Sequence, residues 1–459
     1  MITLSLRDQI EDALTGVDAR YVEIRVEDSE SRHLRYRGRE LEDVGRSSAL
    51  GGNVRALADA GWGFASFNDL SQLKAKVAQA VHQAKVLHGE PITLADVDPV
   101  VATAPATVGE DPTKISLAEK KNILDRYAQI MMGAEGVQSS SVTYGDANKR
   151  VTFANTEGSF IEQERIDVNM RLSAMARKNG DVQQSGVSIG SLGDFAFVRE
   201  LDREAQDVAD KAIALLNAEQ IEGGEYTVVL DPILAGVFIH EAFGHLSEAD
   251  HIYSEPRLQE VMQLGRRFGG ALLNVVDGAT VPREGLRGSY LYDDEGVPGQ
   301  RTQLIKDGVL VGRLHSRETA GKLGERPTGN ARAINYRFPP IVRMTNTYIE
   351  PGEGTVDDLV RDVKDGVYVK NWYGGMTSME MFTFSGAESY RIRNGEIAEL
   401  CRPVMLSGNV FRTLENIDGI AADLDMNQGG GCGKGGQSPL PVSNGSPHIR
   451  IQHCLLSGA

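Results

Sequence analysis

Residues 231–250 read DPILAGVFIHEAFGHLSEAD, and this stretch constrains the fold more than any other. Asp231 followed by Pro232 pairs a preferred helix N-cap with a preferred first-turn residue. The ILAGVFI that follows is apolar on every side, so the helix it forms must be surrounded by protein. That buried helix runs directly into His240-Glu241 and His245. In the zinc-peptidase string His-Glu-x-x-His the imidazoles lie four residues apart, about 40° around a regular helix. Here they lie five apart, about 140°, too divergent for one ion unless the helix widens. A π-bulge, closing i to i+5, returns such residues to one face. Gly244 stands where the backbone needs freedom to widen. The bland alternative is a pair of hydrogen-bonded core histidines. The Glu between them and the capped, buried setting favour the ligand reading.

At 459 residues the chain exceeds what one core usually serves, which predicts two domains. A formal charge of −16, with no Lys/Arg-rich run, argues against a nucleic-acid surface. The first residues, MITLSLRDQIEDALTG, lack a basic start and an apolar run, and no stretch reaches membrane-spanning length. Three cysteines in so long a chain do not make a disulfide framework, so the expected compartment is the cytoplasm.

Spacing predicts helices over 4–15, 69–88, from about 116, and over 200–220. Between them lie strands: RYVEIRVED, then RHLRYRGRELEDV, the alternating GGNVRALADAGWGFASFN, and two in 137–164. The two strand pairs share a polar turn, a basic residue and then alternating apolar positions, a hint of a repeated helix–hairpin unit. Residues 91–114 read as an irregular connection. IEGGEY at 221–226 is the boundary, giving domains at 1–220 and 221–459. Beyond it, short alternating segments (GSYLYDDEGVPG, TQLIKDGVLVGRLH, IVRMTNTYIEPG, ESYRIRNGEIAEL) with the hairpin signals KDG and RNG predict antiparallel β around one buried helix.

HEAFGHLSEAD (240–250), TGNARAINYRFPPIVRMTNTYIEPG (328–352), FSGAESYRIRNGEI (384–397) and GGGCGKGGQSPLPVSNGSP (429–447) together resemble the TldD/PmbA family, also known as modulators of DNA gyrase, and within it the TldD-type, metal-bearing members. The resemblance covers essentially the whole chain. It implies an α+β protein, with a mixed α/β N-terminal domain and a barrel- or sandwich-like β-rich C-terminal domain. It also implies a zinc peptidase acting on peptides or unfolded segments. The active site would be enclosed in a dimer, of two copies or with a metal-free PmbA/TldE-type subunit.

Catalytic zinc takes three protein ligands and leaves one position open. Glu248, Asp250, His251, His315, Cys401, Cys432, His448, His453 and Cys454 are available. Cys432 is the best placed: its glycine neighbours let sulfur approach a crowded site, and Lys434 would favour a thiolate. The family's Gly-Cys-Gly-Lys pattern also falls on Cys432, not Cys454. Cys401 and Cys454 read as packing residues, while Glu248 and Asp250 are placed to orient the imidazoles. GGGCGKGGQS fails the phosphate-loop pattern at Gln428 and Gly435. The expected chemistry is zinc-assisted amide hydrolysis with His240, His245 and Cys432 as ligands and Glu241 as general base. Tyr253, His315 and Tyr336 are candidate oxyanion donors. A peptide would bind as an added strand. The competing reading is a zinc-binding regulatory or partner subunit without activity.

Overall fold

The computed structural model describes residues 5–283, 285–378 and 380–458. The chain is α+β. Helix α1 (Leu6–Leu14) leads into a meander of β1 (Tyr21–Arg37), β2 (Glu40–Leu57) and β3 (Trp62–Phe67), closed by α2 (Leu73–Lys85). Strand β4 (Val101–Ala104) follows. The pattern then recurs: α3 (Leu117–Gly133), the meander β5 (Val137–Asn155), β6 (Phe160–Lys178) and β7 (Asp181–Leu192), then α4 (Asp202–Leu215). The repeated unit is therefore larger than a helix and a hairpin. The two meanders join edge to edge through antiparallel β1–β5 pairing, and β4 adds beside β6 in parallel.

Two differences from the sequence reading share one cause. RYVEIRVED and RHLRYR form a single strand, and the 146–150 segment DANKR lies inside β5. Val22, Ile24 and Val26 of β1 pack with α1 and α2, while Leu34 and Tyr36 pack with β5, β6, α3 and α4. The polar residues 28–33 lie between these two cores, belong to neither, and are half-buried or exposed, so they need not be apolar. The turn falls instead at Gly38, whose φ of 58° suits glycine. The 91–114 connection is likewise not wholly irregular, since it contributes β4.

The opposite face of β1 carries Glu23, Arg25 and Glu27, a pattern that normally faces water. All three are buried against the second half of the chain. Arg25 and Arg55 pair with Asp294 and Glu295 at 3.1 Å each, and Asp167 pairs with Arg287 at 2.8 Å.

The second half holds a six-stranded and a seven-stranded sheet plus two short two-stranded ladders. Pairing is mainly antiparallel, with parallel contacts at 346–348/443–445 and at 366–369 against β8 (Gly224–Leu230). KDG and RNG make turns as expected, with Asp307, Gly308, Asn394 and Gly395 all at positive φ. GSYLYDDEGVPG is a loop rather than a strand, because Asp293 folds it back by accepting the Glu295 and Val297 N–H groups. Among the described residues no helix is long and apolar enough to cross a membrane.

Helix α5 (Pro232–Ile239) packs with strands of both sheets. Asp231 caps it, accepting the Leu234 N–H at 2.9 Å and the Asn371 N–H at 3.1 Å. Leu234 to Ile239 are all buried, and Phe238 meets Phe382 and Phe384 edge-on. Leu234, Val237, Phe238 and Ile239 each contribute roughly 1.5–3 kcal/mol by leaving water. On its other flank Gly236 lies so close to Gly445 that a Cβ would come within 2.7 Å of backbone atoms. Gly236→Ala is therefore expected to destabilise the protein by about 1–3 kcal/mol, read as a lower urea midpoint, because backbone on both sides cannot yield.

Candidate metal centre

The helix widens where the histidine spacing requires. Residues His240–Gly244 form a π turn, closed by the His245 N–H donating to the His240 carbonyl five residues back. His245–Ser247 then tightens into a 3-10 turn. Gly244 is needed for a different reason from the expected one. Its φ of −56° is ordinary helix, but a Cβ there would sit 2.1 Å from the Met344 sulfur. Space, not backbone freedom, selects glycine.

The two imidazole rings lie 5.3 Å apart, nearly perpendicular at 80°. Cys432 reaches them from the hairpin Gly431–Lys434/Gln437–Pro441, and its Sγ is 3.4 Å from His245 Nε2. Donor atoms of His240, His245 and Cys432 all lie within 4.8 Å of one another. Burial alone would raise the Cys432 thiol, yet the two imidazoles overcome it and bring it to about 4. For His245 burial opposes protonation, but the Glu248 carboxylate and Cys432 hold it well above the usual imidazole range.

Second contacts fix these side chains. Glu248 Oε2 lies 3.0 Å from His245 Nδ1. Buried Glu248 would be raised by desolvation, but His245 and Lys434 bring it down to about 2. Lys434 donates to Asp250 at 2.6 Å and to the Val342 carbonyl at 2.9 Å, and lies 3.0 Å from Glu248. The lysine therefore acts on the carboxylates behind the site, whereas the imidazoles set the state of Cys432. Asp250 binds Lys434 and touches neither ring nitrogen of His240 or His245.

Glu241 is 28% exposed, with Oε2 3.9 Å from His245 Nε2. It is therefore partly exposed beside the donors. His315 has both ring nitrogens engaged, by Thr319 and Glu325, and the Tyr336 hydroxyl meets Asn68 of the first half. Tyr253 is 42% exposed beneath Lys322. The His315 ring and the Tyr336 hydroxyl are thus already engaged. His448 pairs with Asp423 and His453 with Glu225. Cys401 and Cys454 are buried among apolar side chains, and burial pushes the Cys454 thiol up to about 12.

One residue escaped the sequence reading. Arg343, fully buried, donates to the Cys432 carbonyl at 2.7 Å and to the Gln437 carbonyl at 3.2 Å, clamping the hairpin that carries the thiol. An arginine inside the apolar IVRMTN was the available signal.

The donor set suits a borderline-soft cation: one thiolate, two imidazoles and no fourth protein donor among the described residues. His240 Nδ1 is buried without a hydrogen-bond partner, an arrangement a cation would complete.

Family models for the PmbA/TldA metallopeptidases match the chain in three parts: domain 1 over residues 22–84, the central domain over 110–218 and the C-terminal domain over 223–458. A metalloprotease of Synechocystis sp. is 48% identical over 443 residues, covering 96% of this chain and 95% of that one. A zinc metalloprotease TldD homolog of Saccharolobus solfataricus is 34% identical over 357 residues, 76% of this chain and 78% of its own. Among solved structures, a candidate modulator of a DNA gyrase from Thermotoga maritima aligns with a TM-score of 0.80 at 20% identity, over 98% of this chain and 100% of that one. TldE from Thermococcus kodakarensis aligns with a TM-score of 0.72 at 18% identity, over 98% and 99%. At these identities the structures speak for the fold alone.

In metal-free protein, thiolate ultraviolet absorbance should already be present at pH 6 and vanish as the pH falls through about 4. The sign follows from a lowered pKa: the charged form persists to more acid solution. Cys432→Ser should remove this transition and Cys454→Ser should leave it; a first thiolate appearing only in alkali would contradict the arrangement.

Proposed function

The chain belongs to the PmbA/TldD family of metallopeptidases, and we propose that it is a zinc-dependent peptidase for short or unfolded peptides, with His240, His245 and Cys432 as metal ligands and Glu241 as general base. The observation that carries this reading is the convergence of three donors within 4.8 Å, with a carboxylate on the neighbouring residue. A zinc ion held there supplies Lewis acidity toward water and the scissile carbonyl.

The protein's own groups do the rest. Glu241, partly exposed beside His245, accepts a proton from the attacking water on a carboxylate oxygen and passes it to the leaving amine nitrogen. Glu248 fixes the orientation of the His245 ring through Nδ1, which leaves Nε2 facing Cys432. Lys434 neutralises Glu248 and joins the hairpin to the helix, and Arg343 holds the carbonyl of Cys432. An extended peptide is read mainly through its main chain. The ladder carrying Cys432 has only two strands, and among the described residues Gly431–Lys434 pairs on one side alone. A substrate strand added at its free edge passes the donors without requiring particular side chains.

We take residues 1–220 as a capping or subunit-joining domain and 221–459 as the peptidase domain. From the family membership we take the site to be enclosed by a second subunit, either another copy or a TldE-type chain, in the cytoplasm. Enclosure admits unfolded chains and excludes folded ones.

Zinc content and cleavage of an unstructured peptide test the reading together. Glu241→Ala should keep its zinc and lose about 10²–10⁴-fold in rate. Cys432→Ser should lose zinc while Cys454→Ser keeps it. A tightly folded protein should survive incubation that degrades the peptide. Bound zinc without cleavage in the wild type would favour a regulatory subunit, and unchanged activity in Glu241→Ala would remove that residue from the mechanism.

A further inference from the structure

The charged face of the first sheet does not pack flush on the second half. Between β1, β5 and β6 on one side, and residues 279–280, 285, 289–294, 332–334 and 439–441 on the other, lies a cavity of about 460 Å³. This is within the range of small-molecule sites, which favour domain junctions. Val151, Ile334 and Leu440 supply apolar wall. Leu440 pairs in register with Cys432, so the ladder bearing the thiol is part of the cavity's boundary.

Its lining carries four cations (Arg25, Lys149, Arg165 and Arg332) and four carboxylates (Glu164, Asp167, Asp293 and Asp294), but they are not all paired with one another. Among the described residues each lining carboxylate is already engaged: Asp167 by the Arg287 guanidinium, Asp293 by the N–H groups of Glu295, Val297 and Ala331, Asp294 by the Ala333 N–H and Arg25, and Glu164 by Arg150 and Asn148. Two lining guanidiniums have neutral partners instead. Arg165 donates to the carbonyls of Ser289, at 2.9 Å, and Arg287. Arg332 donates to those of Met344, at 2.6 Å, and Pro441, at 2.8 Å. Neither forms an ion pair among the described residues. Arg25, 3% exposed, also lines the cavity and has Nη1 without an acceptor. Burial first, and then the neighbouring Arg332, draw Arg165 down to about 10. The charge of these two guanidiniums is offset only at longer range, by Asp167 for Arg165 and by Asp294 and Asp277 for Arg332. The cavity thus presents guanidinium groups without an ion-pair partner, and one with an unfilled donor, where an anion would be held.

We propose that this cavity binds an organic carboxylate, its head group at Arg165 and Arg332 and its apolar body against Val151, Ile334 and Leu440. A guanidinium fork matches a carboxylate in geometry as well as charge. The choice of carboxylate rests on the peptidase reading, since every amide bond cut releases one. The head group could belong to a peptide's free C-terminus or to a simple organic acid, and the test separates these sources.

Calorimetric titration of the intact protein with N-acetyl-leucine and with hexanoate, each against its own amide, reads the site. Both the carboxylate preference and its location are measurable. At least one acid is expected to bind ten-fold or more tightly than its amide. Ala147→Phe, which fills the cavity and leaves every charge in place, should weaken that binding at least ten-fold. Arg165→Gln should do the same, and if it fails to fold, the Ala147 variant decides. Cys432→Ser should bind as the wild type does, which separates this site from the metal centre and its failure from any failure of zinc binding or cleavage. Preference for N-acetyl-leucine identifies a peptide terminus, and equal or tighter binding of hexanoate identifies free acids; either upholds the proposal. Acid and amide binding alike, no binding of either acid, full affinity in Ala147→Phe, or binding abolished in Cys432→Ser would each overturn it.

Discussion

The single hydrogen bond from the His245 N–H to the His240 carbonyl decides what the centre of this molecule can do. In a regular helix that N–H would bond four residues back, and residues five apart would diverge by about 140°. The widened turn instead brings both rings to one side. It persists because the helix before it cannot shift. Asp231 pins its start, Gly236 presses against Gly445, and Phe238 is wedged against Phe382 and Phe384. After the turn, the space for Gly244 is set by Met344.

The third donor depends on a different kind of contact. Cys432 comes from a glycine-rich hairpin that lacks bulk of its own to hold it. Arg343 grips its carbonyl, and Lys434 links the same hairpin to Glu248 and Asp250. Glu248 in turn holds the ring of His245. The helix and the hairpin are thus joined by a buried chain of charge from ammonium to carboxylate to imidazole. Removing one member would leave the others buried and unpaired, which is why such a chain is kept whole.

A second buried ionic layer joins the halves of the chain. β1 has apolar residues on the face toward the helices and Glu23, Arg25 and Glu27 on the other, and both faces are covered. The pairs Arg25–Asp294, Arg55–Glu295 and Asp167–Arg287 fix how the first sheet sits on the second half. The cavity lies where that polar layer is incomplete, and it shares a wall with the Cys432 hairpin.

Much of this was legible in the chain itself. The capped apolar helix, the need for a widened turn after it and the hairpins at Asp307-Gly308 and Asn394-Gly395 follow from local chemistry, because each depends on residues adjacent in sequence, and the glycines around Cys432 marked it as the cysteine able to approach the two histidines. Strand limits were less legible: residues 28–33 look like a turn, since nothing local says that two helical cores will flank them. Glu241 follows a buried helix, yet it is partly exposed beside His245. The partners of Lys434, the grip of Arg343 and the burial of Glu23, Arg25 and Glu27 could not be read at all. An alternating strand reads the same whether water or another sheet covers its charged face. Only the packing of the two halves, which pairs residues more than 200 positions apart, removed the water and turned that face into an interface.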